Sequence, residues 1–221
     1  MKVQHHLDGA TLLRYAAGDL DEAFSVIVAS HLTMCGACRK SLRAAEEIGG
    51  RLLEKGNEAE VTVGAFDRLM EHIDASGEQV VIERRGNARS GDNGDVPLPL
   101  QRLVGSSLDE ISWKAISPGV GRHKIELPTS PGSSLYMLRI GSGKAVPEHG
   151  HGGAEMTLVL SGAYRDELGY FGPGDIADLD EHIEHQPKVE AGAPCICVVA
   201  TEAPTRYKGF FSRLLQPLVG I

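Results

Sequence analysis

The sequence predicts a multidomain α+β chain, a helical bundle followed by a β-barrel of jelly-roll type. Three observations carry this. Residues 8–76 place apolar side chains at helical spacing. Residues 86–99 read Gly-Asn-Ala-Arg-Ser-Gly-Asp-Asn-Gly-Asp-Val-Pro-Leu-Pro, a composition that breaks regular structure and predicts a flexible linker. Beyond them come short alternating segments separated by turn residues. The expected division is 1–85 helical, 86–99 linker and 100–221 barrel.

Each element follows from local chemistry. Asp8 caps a helix over residues 10–17, and Gly18 ends it. Asp19 or Asp21 starts a second helix through Phe24, Ile27, Val28 and His31. A third runs over about 37–54 with Leu42, Ala45, Ile48 and Leu52 in one stripe. A fourth carries Phe66, Leu69, Met70 and Ile73, a stripe expected to be ordinary core, on a helix that packs loosely and helps to hold a partner. Strands are predicted over 113–116, 124–127, 135–140, 157–160 and 195–201.

The 221 residues carry a formal charge of −8, with 30 acidic against 22 basic side chains. No basic stripe occurs, which argues against direct nucleic-acid binding, and an acidic surface suits a basic protein partner. The first residues lack the apolar core of a signal peptide, and runs such as 24–29 and 195–200 are too short to span a bilayer. A cytoplasmic location is expected, where cysteines serve better as metal ligands than as disulfides.

Two clusters carry chemistry. His31-Leu-Thr-Met-Cys35-Gly-Ala-Cys38 places an imidazole and two thiols at helical offsets of four and three, so they converge on one face. That donor set calls for tetrahedral zinc, with the fourth ligand from His6, next to the first helix, or else from His5. The second cluster is Gly143, His149, His151, Glu155 and Gly162, at the spacing G-x5-H-x-H-x3-E-x6-G. Alternate residues of a strand share a face, so His149 and His151 can aim at one centre. Gly152 and Gly153 ease the bend that brings in Glu155 through positive φ. A later strand must supply a fourth ligand, His185 in preference to His182. Cys195 and Cys197 share a strand face, either as a redox pair directed into the barrel or as small core residues.

The glycine, histidine and glutamate spacing is that of the first cupin motif, and Pro173-Gly174-Asp175 resembles the turn that opens the second. His185 follows that turn less closely than is usual. His6 with His31-x3-Cys35-x2-Cys38, Tyr15-Ala-Ala-Gly18 and the helix of residues 22–32 resemble the zinc-binding anti-sigma domain. With an appended cupin, the chain resembles the ChrR type of zinc-binding anti-sigma factor over nearly its whole length. The resemblance implies a zinc-bound helical bundle followed by a cupin β-barrel. It implies His6, His31, Cys35 and Cys38 as structural zinc ligands, and His149, His151, Glu155 and His185 as ligands of zinc or another divalent metal. It also implies a function without catalysis. Such a protein sequesters an extracytoplasmic-function sigma factor from core RNA polymerase and releases it under oxidative stress of the singlet-oxygen type, sensed by the cupin. The competing reading is a metal-dependent cupin enzyme of dioxygenase or isomerase type, with Tyr136, Tyr164, Glu167 and Tyr170 lining its cavity. A zinc-dependent DNA-binding regulator is disfavoured by the acidic helices.

Overall fold

The computed structural model describes residues 3–75, 94–127 and 132–207. Five helices come in the order α1 (Gly9–Ala16), α2 (Glu22–Met34), α3 (Gly36–Glu54), α4 (Ala65–Ala75) and α5 (Leu98–Val104), followed by a short 3₁₀ turn at Leu108–Glu110. Twelve strands follow: β1 (Lys114–Ser117), β2 (Val120–Ile125), β3 (Ser134–Ile140), β4 (His149–Gly150), β5 (Glu155–Ser161), β6 (Tyr164–Asp166), β7 (Gly169–Phe171), β8 (Ile176–Leu179), β9 (Glu184–His185), β10 (Lys188–Val189), β11 (Cys195–Thr201) and β12 (Arg206–Tyr207).

The helix starts follow the expected caps. The Asp8 carboxylate accepts from Ala10 N at 2.7 Å, and Asp21 accepts from Ala23 N at 3.1 Å. Gly18 stands at φ +71 behind α1, a position that favours glycine. α3 is capped by Cys35 itself, whose sulfur accepts from Cys38 N. The last residues of the expected linker are ordered. Val96 is buried, Gln101 Nε2 donates to its carbonyl, and α5 begins at Leu98. Residues 86–93 lie outside the described residues.

The strands form one six-stranded sheet, in the order β1-β2-β3-β11-β5-β8, and two three-stranded sheets, β10-β6-β7 and β12-β4-β9. Every pairing between named strands is antiparallel. In β11, the alternation of side chains splits the strand between two environments. Ile196, Val198 and Ala200 belong to the core that also holds Ala23, Phe24, Ile27 and Val28 of α2. Cys195, Cys197 and Val199 line an internal cavity on the other face. Burial on both faces explains why Cys-Ile-Cys-Val-Val is continuously apolar. One core therefore runs from α1 and α2 into the outer face of the large sheet. Leu158, fully buried in that core, is a test of it: Leu158→Ala should cost about 2–5 kcal/mol, read as a lower urea midpoint.

The apolar stripe of α4 is not core, contrary to expectation. Phe66, Leu69 and Ile73 are more than half exposed, as are Ile48, Leu52 and Leu53 at the end of α3. Periodicity identifies which face of a helix is apolar but not what covers it. No described residue buries these side chains.

Candidate metal centres

The helical site is built where α2 ends and α3 begins. His31, in the last turn of α2, and Cys38, in the first turns of α3, are joined across the Cys35 kink, and His6 arrives from the segment before α1. His31 Nε2 lies 3.2 Å from Cys38 Sγ, and His6 Nδ1 lies 3.3 Å from Cys35 Sγ and 3.7 Å from Cys38 Sγ. Zinc–sulfur and zinc–nitrogen bonds of about 2.3 and 2.0 Å give tetrahedron edges of about 3.5 Å. The observed separations match those edges, so the four side chains suit a tetrahedral ion. His31, Cys35 and Cys38 are buried and His6 is exposed, leaving an approach from solvent. His5, the alternative, turns away and stacks on Phe171.

Burial sets the protonation here. His31 is lowered from 6.5 to about 4, chiefly by burial, partly offset by its bond to the Gly174 carbonyl. Cys38 is pushed up to about 11, again chiefly by burial and then by Cys35. A metal must therefore displace a proton from Cys38 but none from His31 at neutral pH, so affinity should rise with pH. In the metal-free chain the sign for His31 is definite. Its neutral form is favoured by folding, so the stability present above pH 6.5 is lost as pH falls from 6.5 towards 4. Urea midpoints of chelator-treated protein should fall between pH 7 and pH 4.5.

The barrel site draws on three strands and a turn. β4 supplies His149, the turn after it His151, β5 Glu155 and β9 His185. β4 pairs with β9 in the register His149↔His185, which sets the two rings side by side. All four side chains are buried. His149 Nδ1 meets the Pro147 carbonyl at 2.8 Å, and His185 Nδ1 meets Asp166 Oδ2 at 2.8 Å. Each Nδ1 donates to an oxygen, so the two Nε2 atoms, 3.1 Å apart, face each other with lone pairs. Nitrogen lone pairs at that distance repel unless a cation sits between them, and His151 Nε2 is also buried without a partner among the described residues. The donor set of three imidazoles and a carboxylate fits a divalent ion. His149 is held low by burial, which keeps it neutral. Burial pushes the Glu155 carboxyl up, but the His151 imidazole, whose Nδ1 lies 3.2 Å from Oε2, and the other two imidazoles outweigh it and leave the group below its usual value.

Asp166, which fixes His185, was invisible to sequence reasoning because nothing in its local pattern marks an outer-shell carboxylate. His182 is an exposed loop residue. Gly152 and Gly153 keep negative φ, which corrects the expected role. They are needed for space, since a Cβ on them would come within 2.8 Å of Ala203 Cβ and of Glu202 Oε2. Gly162 does stand at φ +70, and a Cβ there would lie 2.2 Å from the Pro194 carbonyl. Gly162→Ala should therefore destabilise by about 1–3 kcal/mol, with a lowered melting temperature as the readout.

A cavity of about 60 Å³ adjoins this site, lined by Tyr136, Tyr164, Cys195, Cys197, His149 and Glu155 among others. It holds a few water-sized groups rather than a bulky substrate. Glu167 and Tyr170 do not line it. Both cysteines are buried, and the hydrogen bond that the Cys197 thiol makes to Cys195, then burial, hold Cys197 well above its ordinary value.

A barrel with a buried cluster of three histidines and a glutamate, preceded by a helical Cys₂His₂ cluster, defines a member of the cupin class with two candidate metal centres. Residues 101–204 match the family model of the ChrR cupin-like domain. Over all 221 residues the chain is 41% identical to the anti-sigma-E factor ChrR of Cereibacter sphaeroides, covering the whole of both chains. It superposes with a TM-score of 0.76 and 38% identity on a chain of the crystal structure of Rhodobacter sphaeroides SigE in complex with the anti-sigma ChrR. That match covers 90% of this chain and 99% of the other. The chain belongs to the ChrR family of anti-sigma factors, which are regulators and not enzymes.

Proposed function

We propose that this protein binds an extracytoplasmic-function sigma factor, withholds it from core RNA polymerase and releases it when the barrel registers oxidative stress of the singlet-oxygen type. The similarity to a chain that is crystallised with a sigma factor, at 38% identity and nearly full coverage, carries this reading. The bare apolar side chains of α3 and α4 support it, because contiguous exposed apolar surface of this kind marks a protein interface. Control is then mass action. The sigma factor stays silent while the complex outcompetes polymerase, and each 1.4 kcal/mol lost on signalling raises Kd about tenfold.

In this reading residues 1–85 hold the partner and residues 100–221 sense. His6, His31, Cys35 and Cys38 hold structural zinc, and His149, His151, Glu155 and His185 hold zinc or another divalent ion. When bound, that ion supplies Lewis acidity and a position for an incoming ligand. The protein's own part is to orient His149 and His185 through Pro147 and Asp166 and to limit access through a small cavity. Cys195 and Cys197 face that cavity as a second reactive element, although a thiol held as high as Cys197 reacts slowly. Replacing both with serine and finding an unchanged oxidant response would remove them from the mechanism. Cytoplasmic action is consistent with the absence, among described residues, of any helix long and apolar enough to cross a membrane.

The deciding experiment is co-expression of the full chain with candidate sigma factors and purification with and without chelator. Retention of one sigma factor, lost on chelation, is expected. Retention of none would overturn the reading.

A further inference from the structure

We propose that the end of β7 and the turn from it into β8, residues 171–175, position the ligands of the helical metal site, and that through them the state of the barrel cavity acts on that site. This rests on the zinc assignment made above.

This one turn bonds His31 directly and holds the segment that leads to His6. His31 Nδ1 donates to the Gly174 carbonyl at 2.9 Å, which leaves Nε2 aimed at the thiols. Gly174 stands at φ +90, and a Cβ there would come within 3.0 Å of Val3 Cγ2, so the turn runs close beside the chain leading to His6 with no room for a side chain between them. Asp175 clamps that chain. Its Oδ1 accepts from Gln4 N at 2.6 Å and His5 N at 2.9 Å, while Oδ2 holds the turn closed through Gly172 N at 2.9 Å. Asp175 is buried, so these bonds are shielded from competing water.

From the same turn a column of three rings leads into the barrel. His5 stacks on Phe171 with centroids 3.9 Å apart at 20°, and His5 Nε2 reaches the Tyr170 carbonyl at 3.0 Å. Phe171 stacks on Tyr164 at 4.8 Å and 9°. Tyr164 lines the cavity beside His149, Glu155 and His185, and its hydroxyl is buried without a partner among the described residues. The other end of the turn runs into β8, whose Leu179 pairs with Glu155. Close-packed rings do not compress, so a displacement of Tyr164 has to be passed to Phe171 and on to the residue beside His6. Outer-shell partners of metal-bound histidine are worth about 10–100-fold in metal affinity. A change at the cavity that loosens the turn thus lowers affinity at the thiols, and linkage makes the effect reciprocal.

The test uses the full chain with Co²⁺ as probe, because thiolate-to-cobalt absorption reports on the Cys35/Cys38 site alone. Affinity at that site is measured by chelator competition in the unaltered protein and in Glu155→Gln, each with His5, His5→Ala or His5→Phe. Glu155→Gln is expected to shift the thiolate-site affinity at least fivefold. With His5→Ala the shift should shrink to within twofold, and His5→Phe, which keeps the stack, should restore it. An equal shift with and without the His5 ring, or no shift in the unaltered background, overturns the proposal. Should Glu155→Gln fail to fold, His149→Gln takes its place with the same criteria. Absence of any thiolate-to-cobalt band would instead overturn the zinc assignment itself.

Discussion

Replacing Cys38 with serine is expected to remove zinc from the helical site, leave the barrel metal in place and abolish capture of the sigma factor. The effect should be large because ordering α1 and α3 depends heavily on that site. Among α3 side chains only Cys38 is fully buried, and in α1 only Leu12. Structural zinc in small domains contributes about 10–16 kcal/mol at pH 7, far more than such a core supplies. α2 should survive, since it also packs on β3, β5 and β11. Metal analysis of the purified variant, with helical content by circular dichroism and a pull-down of the partner, checks all three statements. Full zinc content or undiminished capture would contradict the structural role given to this thiol.

The second large effect is expected at the uncovered apolar face of α4. Phe66→Asp combined with Leu69→Asp should weaken partner binding at least a hundredfold, about 2.7 kcal/mol, without lowering the melting temperature. Both side chains are more than half exposed, so charges placed there meet water in the free protein and a desolvated surface only in the complex. Isothermal titration against the sigma factor, beside a thermal melt, separates the outcomes. A lowered melting temperature would mean that α4 packs within this chain. Unchanged affinity would mean that the partner sits elsewhere.

Much of the helical half was legible because its signals are local. Asp8, Asp21 and Gly18 mark boundaries through bonds and dihedrals that involve only near neighbours. The longer strands around 135–140, 157–160 and 195–201 were legible from β-prone apolar runs. β4, β9, β10 and β12 were not, since two-residue strands have no period to read and exist only because a partner strand is beside them. The roles of Gly152 and Gly153 were misread for a related reason. The neighbours that exclude a side chain there, Ala203 and Glu202, are about fifty residues away in sequence.

The sequence by itself marked three candidate donors of each cluster, His31, Cys35 and Cys38 and then His149, His151 and Glu155, because ligand chemistry and short spacings are properties of neighbouring residues. Only the tertiary structure decided that His6 rather than His5 faces the thiols, that Asp166 holds His185, and that Gly174 and Asp175 tie the barrel to the helical site. These choices depend on contacts between residues as much as 170 positions apart, whose geometry is set by packing of the sheet against α2 and has no counterpart in local pattern.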